Sequence, residues 1–193
     1  MTIGKNKGNE MNKIMENYFR YCGMRSDINE HLPTLKKYTE ECETVVEMGV
    51  RGILSTWAFL AGNPKKMISY DIAPPSNWDG DINEVYDAVK ETDIQFEFIL
   101  QDVLTVELEP VDLLFIDTWH VYKQLIQELN LHHSKVKKYI ILHDTTSFEM
   151  KGESAGFAGL WPAVIEFLSN HPEWEIHERY TNNNGLTILG RVK

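Results

Sequence analysis

The spacing of apolar residues changes near residue 44 of the chain. Before that point apolar residues recur at helical spacing, first over Met11–Cys22 and again over His31–Glu41. We therefore predict two covering helices within residues 11–43. The polar, Gly- and Asn-containing stretch 1–10 that precedes them is expected to form a flexible tail.

After residue 44, short apolar runs alternate with segments of helical length. The predicted strands are Thr44–Met48, Met67–Tyr70, Gln95–Leu100, Val111–Ile116 and Tyr139–Leu142. The predicted helices are Leu54–Ala61, Ile82–Val89, Tyr122–His132 and Trp161–Leu168. Continuously apolar strands separated by helices indicate a parallel sheet that is covered on both faces.

The end of the chain follows a different pattern. Two strand-like stretches, Trp174–Tyr180 and Leu186–Val192, flank a loop of residues that tolerate positive φ, 181–185. This predicts a terminal antiparallel hairpin. The fold class is therefore α/β, with a Rossmann-like, seven-stranded, mostly parallel sheet and helices on both faces. We find no repeat or linker, so residues 44–193 form the main domain of a single globular unit, 11–193.

Composition and charge narrow the classes of protein. At 193 residues, one domain is the natural expectation, and a content of 42% hydrophobic and 25% charged residues is typical of soluble globular proteins. A net charge of -10 disfavours a large contact with nucleic acid or an anionic membrane, since both require clustered Lys and Arg. The predicted partner is a small molecule. The oligomeric state stays open, with a homodimer among the possible states.

Cysteine usage and hydropathy bear on the compartment. Cys22 and Cys42 are the two cysteines, too few for a disulfide scaffold and without a CxxC pair. No apolar run approaches the ~20 residues that a membrane helix needs, and the polar N-terminus lacks the apolar core of a signal peptide. We expect a soluble, cytoplasmic protein.

The stretch Val45–Thr56 carries the first candidate chemistry. A buried strand ends near Glu47 and is followed by Gly49 and Gly52 before a helix begins at about Ser55. Glycines allow a sharp turn and close approach of a ligand, and Ser55 or its neighbour could cap the helix. Nucleotide cofactors bind at such turns, at the C-terminal edge of the sheet. An ordinary βα turn is the alternative.

Acids also end the next two predicted strands. Asp71 follows Glu47 by 24 positions, close to the spacing at which an acid binds the ribose hydroxyls in nucleotide-binding folds. We favour ribose binding over a solvated strand end. After the third strand, Gln101 or Asp102 could face the base of a cofactor, although Asp102 could equally be a helix N-cap.

Two further strand ends carry titratable groups, Asp117 with His120, and His143 with Asp144. Adjacent strands would bring Asp117, His143 and Asp144 together above the sheet edge. Carboxylates suit Mg²⁺, whereas His favours a transition metal. His120 is a candidate general base or, alternatively, a cap on the following helix. For His143 a structural hydrogen bond is favoured over metal ligation.

Taken in order, these segments resemble the class I S-adenosylmethionine-dependent methyltransferases, over most of the chain from Thr44 to Arg191. The closest resemblance is to small O-methyltransferase-like domains related to the macrolide and sugar O-methyltransferases and the cephalosporin hydroxylase group. These have a similar acid–Gly turn followed by Ser, a Phe-Ile-Asp strand end with a downstream His and Tyr, and a His-Asp pair after the fifth strand. Asp117-Thr-Trp-His120 is also similar to a stretch of the catechol-type O-methyltransferases, with His120 where their basic residue falls.

The resemblance implies a set of site residues and a cofactor. The implied cofactor is S-adenosylmethionine, with Mg²⁺ or another divalent metal as a second. The implied cofactor-binding residues are Glu47, Gly49, Arg51, Gly52, Ser55, Asp71, Gln101, Asp102 and Asp117. The implied metal ligands are Asp117, His143 and Asp144, and His120 and Asp117 are the implied catalytic residues. The sequence departs from the family pattern at Ile53, where many relatives have glycine, and at His143, where metal-dependent members have a carboxylate.

The resulting hypothesis is methyl transfer to an oxygen of a small acceptor, possible with or without a metal, with His120 taking the proton. Residues 145–159 would form a lid over the acceptor. The aromatic residues that could wall the acceptor pocket are Trp119, Tyr122, Phe148, Phe157 and Trp161. A non-catalytic domain with the same fold is the alternative. An oxidoreductase that uses a dinucleotide is disfavoured, because the Gly-x-Gly-x-x-Gly fingerprint is absent.

Overall fold

The computed structural model describes residues 12–192, so the predicted tail at 1–10 lies outside the described residues. Its α-helices are α1 (Lys13–Gly23), α2 (Leu32–Thr39), α3 (Leu54–Ala61), α4 (Ile82–Val89), α5 (Tyr122–His132) and α6 (Leu160–Asn170). Its strands are β1 (Thr44–Met48), β2 (Lys66–Asp71), β3 (Gln95–Leu100), β4 (Val111–Ile116), β5 (Val136–His143), β6 (Trp174–Tyr180) and β7 (Leu186–Arg191).

The seven strands form one sheet in the order β3-β2-β1-β4-β5-β7-β6. Strands β1 to β5 pair in parallel, and β7 pairs antiparallel with both β5 and β6. The predicted mixed sheet and its terminal hairpin are therefore confirmed. The order reverses between β1 and β4, and this reversal is where ligands bind in open α/β sheets.

The burial of each strand agrees with its position in the sheet. Every residue of β4, in the middle of the sheet, is buried, as expected for a strand covered on both faces. By contrast, β3 at one edge has no fully buried residue, and its burial alternates. Two clusters of apolar side chains cover the sheet, one containing Leu113 and Phe115 and the other Leu114 and Ile116. Because successive strand residues point to opposite faces, these clusters lie on the two sides of β4.

The N-terminal helices pack against the rest of the chain through α3. Helix α1 contacts α3 and α4, and α2 contacts α3. Leu32 and Leu35 are fully buried in the same apolar cluster as Val45 of β1. The two helices therefore share a core with the sheet, in keeping with their expected covering role.

The turn of the terminal hairpin adopts the backbone that its sequence favours. Asn183, Asn184 and Gly185 all have positive φ, at 44°, 68° and 95°. A Cβ at Gly185 would lie 2.3 Å from the Thr146 hydroxyl oxygen, so glycine is required there for a close approach. The hairpin turn thereby packs against the segment that follows β5.

Within residues 12–192, none of the helices has the length and apolar character needed to cross a bilayer.

Candidate active site

The parallel strands end together at one edge of the sheet. We call this the carboxyl edge, and it consists of the last residue of β1, β2, β4 and β5 and the residues that directly follow. Met48 of β1 pairs with Tyr70 of β2 and with Ile116 of β4, and Ile116 pairs with Leu142 of β5. The residues one step further along are Gly49, Asp71, Asp117 and His143. Strand register alone therefore brings four of the predicted site residues into one row.

The turn after β1 has an unusual backbone. Gly49, Arg51 and Ile53 have positive φ, at 88°, 48° and 62°. A Cβ at Gly49 would lie 1.9 Å from the Asp117 carbonyl oxygen, so this glycine is required by the approach of two protein segments. The left-handed backbone at Ile53, a β-branched residue, is strained. This is the position at which the family resemblance led us to expect glycine. Gly52 packs closely under the Trp78 carbonyl, 3.4 Å from where its Cβ would lie.

Glu47 is fully buried beneath this turn, and hydroxyl groups contact both of its carboxylate oxygens. Ser55 donates to Oε1 at 2.5 Å, and Thr56 and Ser69 donate to Oε2 at 2.9 and 2.6 Å. Burial raises the pKa of Glu47 to about 7, although the three hydroxyl donors act to lower it. The expectation that Ser55 or Thr56 caps α3 was wrong, because Ile53 is the N-cap and no side chain caps this helix. Their hydroxyls bind Glu47 instead.

Asp71 connects the end of β2 to the glycine turn. Its Oδ2 accepts hydrogen bonds from the Val50 and Arg51 backbone N–H groups at 2.8 and 3.0 Å, and its Oδ1 accepts one from Ala73 at 3.0 Å. The side chain stays partly exposed. Since a carboxylate has about four lone-pair sites, Asp71 can still accept from a ligand hydroxyl.

Gln101 and Asp102 make local contacts after β3. Asp102 is the N-cap of a short 3₁₀ turn, where its Oδ1 accepts from the Leu104 N–H at 2.9 Å. The Gln101 amide donates to the Thr105 hydroxyl at 3.1 Å. The structure thus realises the capping alternative for Asp102, while Gln101 stays partly exposed at the carboxyl edge.

The centre of the site is the His120 imidazole. Its Nε2 lies 3.0 Å from Asp117 Oδ1 and 3.0 Å from Asp144 Oδ2, and its Nδ1 lies 3.1 Å from Glu153 Oε2. Burial would lower the pKa of His120, but the three carboxylates outweigh burial and raise it. The alternative that His120 caps α5 was wrong, because Val121 is the N-cap and no side-chain bond is made there.

His143 lies beneath this cluster and is buried. Its Nε2 is 3.2 Å from the Asp27 backbone carbonyl, which can only accept, so Nε2 carries a proton. Its Nδ1 faces Asp117 Oδ1 at 3.4 Å and Asp144 Oδ2 at 3.6 Å. Burial alone would lower the pKa of His143, but the charges of Asp117 and Asp144 raise it to about 9. His143 therefore makes the hydrogen bond favoured for it, and it also lies beside the two carboxylates with which metal ligation was predicted.

The pKa values of the two aspartates beside the histidines shift in opposite directions. Burial would raise the pKa of Asp117, but the charges of His143 and His120 hold it below its usual range. Burial raises the pKa of the Asp144 carboxyl, with the two histidines opposing the change. Asp144 Oδ1 and His143 Nδ1 are buried without a hydrogen-bond partner among the described residues. Asp117, His143 and Asp144 each offer a ligand atom within 4.8 Å of the others, so this group could hold a cation.

The segment 145–159 lies over this cluster. Phe148 stacks on the His120 ring at 4.9 Å between centroids, and Phe157 lies 5.3 Å from the Trp119 ring. Ser154 accepts a hydrogen bond from the Trp119 indole at 3.1 Å. Trp119 and Phe157 remain 41% and 44% exposed, so a ligand could reach both rings from solvent.

Several residues of the site were missed from the sequence. Asp27, in the connection between α1 and α2, forms an ion pair with Arg51 at 2.6 Å besides accepting from His143. Glu153 contacts His120, and buried Glu128 accepts from the Thr118 hydroxyl at 2.6 Å. Asp27 and Glu153 lie in loops with no periodicity to flag them. Glu128 could have been found as the acid on the apolar face of α5.

The fold of the chain is similar to that of solved methyltransferase structures. The chain matches an O-methyltransferase from Bacillus cereus in complex with S-adenosylhomocysteine (SAH), at 14% identity and a TM-score of 0.64, covering 100% of this chain and 94% of that one. The chain has the methyltransferase fold. It also matches SAH-bound methyltransferase PaMTH1 from Podospora anserina, at 14% identity and a TM-score of 0.58, over 94% and 88% of the two chains.

A third match is the N-terminal domain of EvdMO1, crystallised with SAH and D-fucose. It is 15% identical, with a TM-score of 0.53, and covers 88% of this chain and 84% of that one. No family model and no curated protein matches the chain.

Within the methyltransferase fold, the predicted residues fall into two groups. The glycine turn, Asp71 and the Asp117–His120–His143–Asp144 cluster share the carboxyl edge. Glu47 and Ser55 lie beneath the turn and bind each other, and Asp102 caps a turn of its own. The edge thus combines a tight glycine turn, bonded through its backbone to Asp71, with a dense group of titratable side chains.

Proposed function

We propose that this chain transfers a methyl group from S-adenosylmethionine to an oxygen of a small-molecule acceptor. The observation that carries the proposal is the position of His120, between two carboxylates at the same sheet edge as the glycine turn. The fold, shared with structures solved with SAH, supports the same reading. A methyl acceptor is activated by removing its proton, and this cluster is built around a titratable imidazole.

The cofactor would lie across the ends of β1, β2 and β3. Asp71, which ends β2, would accept from the ribose hydroxyls, and Gly49, Arg51 and Gly52 would border the methionine part. Two apolar side chains at this edge, Ile72 and Leu100, are 75% and 58% exposed and would cover the adenine. We assign Glu47 and Ser55 a supporting role, because their polar atoms are engaged with each other beneath the turn.

His120 would take the acceptor's proton on Nδ1, where the acceptor hydroxyl would replace the half-exposed Glu153 carboxylate, because Nε2 is occupied by Asp117 and Asp144. Its raised pKa means that the neutral, proton-accepting form increases at higher pH. Asp117 and Asp144 would orient the imidazole and stabilise its charge after proton transfer. The transfer itself is a displacement at the sulfonium methyl, so the remaining contribution is to align the acceptor oxygen with that methyl.

The donor set also fits a divalent metal. Two carboxylates and one imidazole converge, and His143 Nδ1 and Asp144 Oδ1 are buried without a hydrogen-bond partner among residues 12–192. Asp117, His143 and Asp144 would hold the ion. When bound, it would lower the pKa of the acceptor hydroxyl.

The test is transfer of labelled methyl from S-adenosylmethionine to a panel of small hydroxyl-bearing acceptors. We expect His120→Gln to lower kcat by about 100-fold or more, because general bases contribute at least that much. Its affinity for SAH should stay unchanged, and the exposed His177→Gln serves as the control. Sensitivity of the parent chain's activity to EDTA would support a bound metal. The residual activity of Asp144→Asn should then be insensitive to EDTA.

Two results would count against the proposal. Unchanged turnover in His120→Gln would remove the base assignment. Tight SAH binding with no transfer to any acceptor would favour the alternative, a domain that keeps the fold and cofactor without catalysis.

A further inference from the structure

A second group of metal-binding side chains lies at the opposite edge of the sheet, where the parallel strands begin. His133 follows α5 and leads into β5, while His171 and Glu173 lie in the connection from α6 to β6. We call these three residues the amino-edge cluster. None of them belongs to the candidate active site, which lies at the carboxyl edge.

The backbone holds these residues in place. His133 is the C-cap of α5 and His171 the C-cap of α6, and each backbone N–H bonds back into its helix. The two helices pack side by side, so their terminal residues meet. The Glu173 carbonyl accepts from the Val192 N–H at 2.9 Å, which ties the third residue to the end of β7. The cluster thus joins two connections of the fold, and Glu173 also links them to the end of β7.

The ligand atoms have the spacing of a metal site. His133 Nδ1 lies 3.7 Å and His171 Nδ1 3.5 Å from the same Glu173 Oε1. Ligands at the usual zinc bond lengths, arranged as a tetrahedron, are about 3.3–3.6 Å apart. All three donors lie within 4.8 Å of one another. The observed separations therefore leave room for an ion with little rearrangement.

One donor atom has no other partner. His133 Nδ1 is buried and makes no hydrogen bond among residues 12–192. A buried polar atom without a partner is costly, so such an atom in a native fold calls for an explanation. The side chains of His133, His171 and Glu173 are 14%, 23% and 36% exposed, so an ion could enter from solvent.

We propose that His133, His171 and Glu173 bind a divalent transition-metal ion, with Zn²⁺ the best fit. Two imidazoles and one carboxylate are a common zinc ligand set, and water would complete the tetrahedron. An oxygen-only ion such as Mg²⁺ is disfavoured by the two imidazoles. Because the ligands come from the ends of α5 and α6 and the start of β6, bound metal would fasten these elements together. This proposal does not depend on the proposed methyl transfer.

The test is calorimetric titration of the metal-free, 193-residue chain with Zn²⁺. All variants also carry Asp144→Asn, which removes a carboxylate from the other possible metal site, Asp117, His143 and Asp144. We expect one Zn²⁺ per chain. His171→Gln should weaken the affinity by more than about tenfold, because even outer partners of metal ligands change affinity about 10–100-fold. Glu173→Gln should weaken it similarly, and the exposed His177→Gln should not.

Thermal unfolding gives a second measurement. Since the ion binds the folded state, Zn²⁺ should raise the Tm of the Asp144→Asn variant but not that of the same variant carrying His171→Gln. If His171→Gln does not fold, Glu173→Gln carries the test, because its side chain is the most exposed of the three. An affinity for Zn²⁺ that is the same with and without His171 and Glu173 would overturn the proposal. In that case the cluster would consist only of helix C-caps that pair with Glu173.

Discussion

Buried acids are a prominent feature at the residue scale. Glu47 and Glu128 are fully buried, and burial raises the pKa of each to about 7, with neighbouring hydrogen-bond donors acting in the opposite direction. Glu128 accepts from Thr118 and from Gln124, while its Oε2 is buried without a partner among residues 12–192. Both acids adjoin the candidate site. Their protonation therefore affects the hydrogen bonds that hold the turn after β1 and Thr118 in place.

The raised pKa of Glu128 predicts a pH-dependent stability. A carboxyl whose folded pKa lies above its unfolded value contributes most below pH 4.5, and this contribution is lost as the pH rises to about 7. Glu128→Gln stays neutral and should flatten this part of the profile, with a free energy of unfolding at pH 8 higher by about 3 kcal/mol. Urea unfolding between pH 5 and 8 measures the effect.

The exposed Glu109→Gln is the matched control, and its profile should follow that of the parent chain. If Glu128→Gln shows the same pH dependence of stability as the parent chain between pH 5 and 8, Glu128 does not titrate in this range and its assignment is wrong.

Individual site residues were predictable to the extent that strand ends determine them. Asp71, Asp117 and Asp144 were located because acids that end parallel strands must meet at one edge. The partner of Glu47 across the sheet, Ser69, follows from strand register, which the sequence does not specify. Asp27 reaches the site from a loop, and nothing in its neighbourhood indicates where that loop lies.

At the scale of elements, the turn after β1 decides the geometry of the site. Its tight approach to β4 depends on Gly49, where φ is 88° and a Cβ would meet the Asp117 carbonyl. The same segment positions the N–H groups of Val50 and Arg51 against Asp71. A change at Gly49 therefore affects β1, β2 and β4 together.

Gly49→Ala should destabilise the protein by more than about 2 kcal/mol, because backbone strain adds to a steric clash. Gly156 is the matched control: its φ is 85°, and a Cβ there would meet nothing within 4 Å. Gly156→Ala should cost about 1 kcal/mol, the strain alone. Chemical denaturation of both variants compares them, and equal losses would contradict the close approach of β1 to β4.

Elements with strong periodicity were predicted closely, and caps were not. The bounds of α3, α4 and α5 match the prediction, because apolar spacing and flanking turns define them. The N-cap of α3 was misassigned because hydroxyls beside a helix start favour capping locally. Burial of Glu47 overrides this preference, since a buried carboxylate needs those donors more.

At the scale of the whole molecule, the fold is shared with proteins of very different sequence. Identity to the matched structures is 14–15%, although the matches cover most of each chain. A parallel sheet that is covered on both faces requires apolar residues in its strands and helices, but it does not require a particular apolar residue at each position. Fold class was therefore predictable from pattern, whereas the proposed acceptor site depends on loops such as 145–159 that carry little pattern.

The most direct measurement is calorimetric titration of the chain with S-adenosylhomocysteine. We expect one site with micromolar affinity. Asp71→Asn should weaken it about tenfold or more, because the ribose loses a charged acceptor while the backbone contacts of the turn are partly kept. Asp87→Asn, on the exposed side of α4, should bind like the parent chain. No binding by the parent chain, or equal affinity in Asp71→Asn, would contradict a nucleoside cofactor at the carboxyl edge.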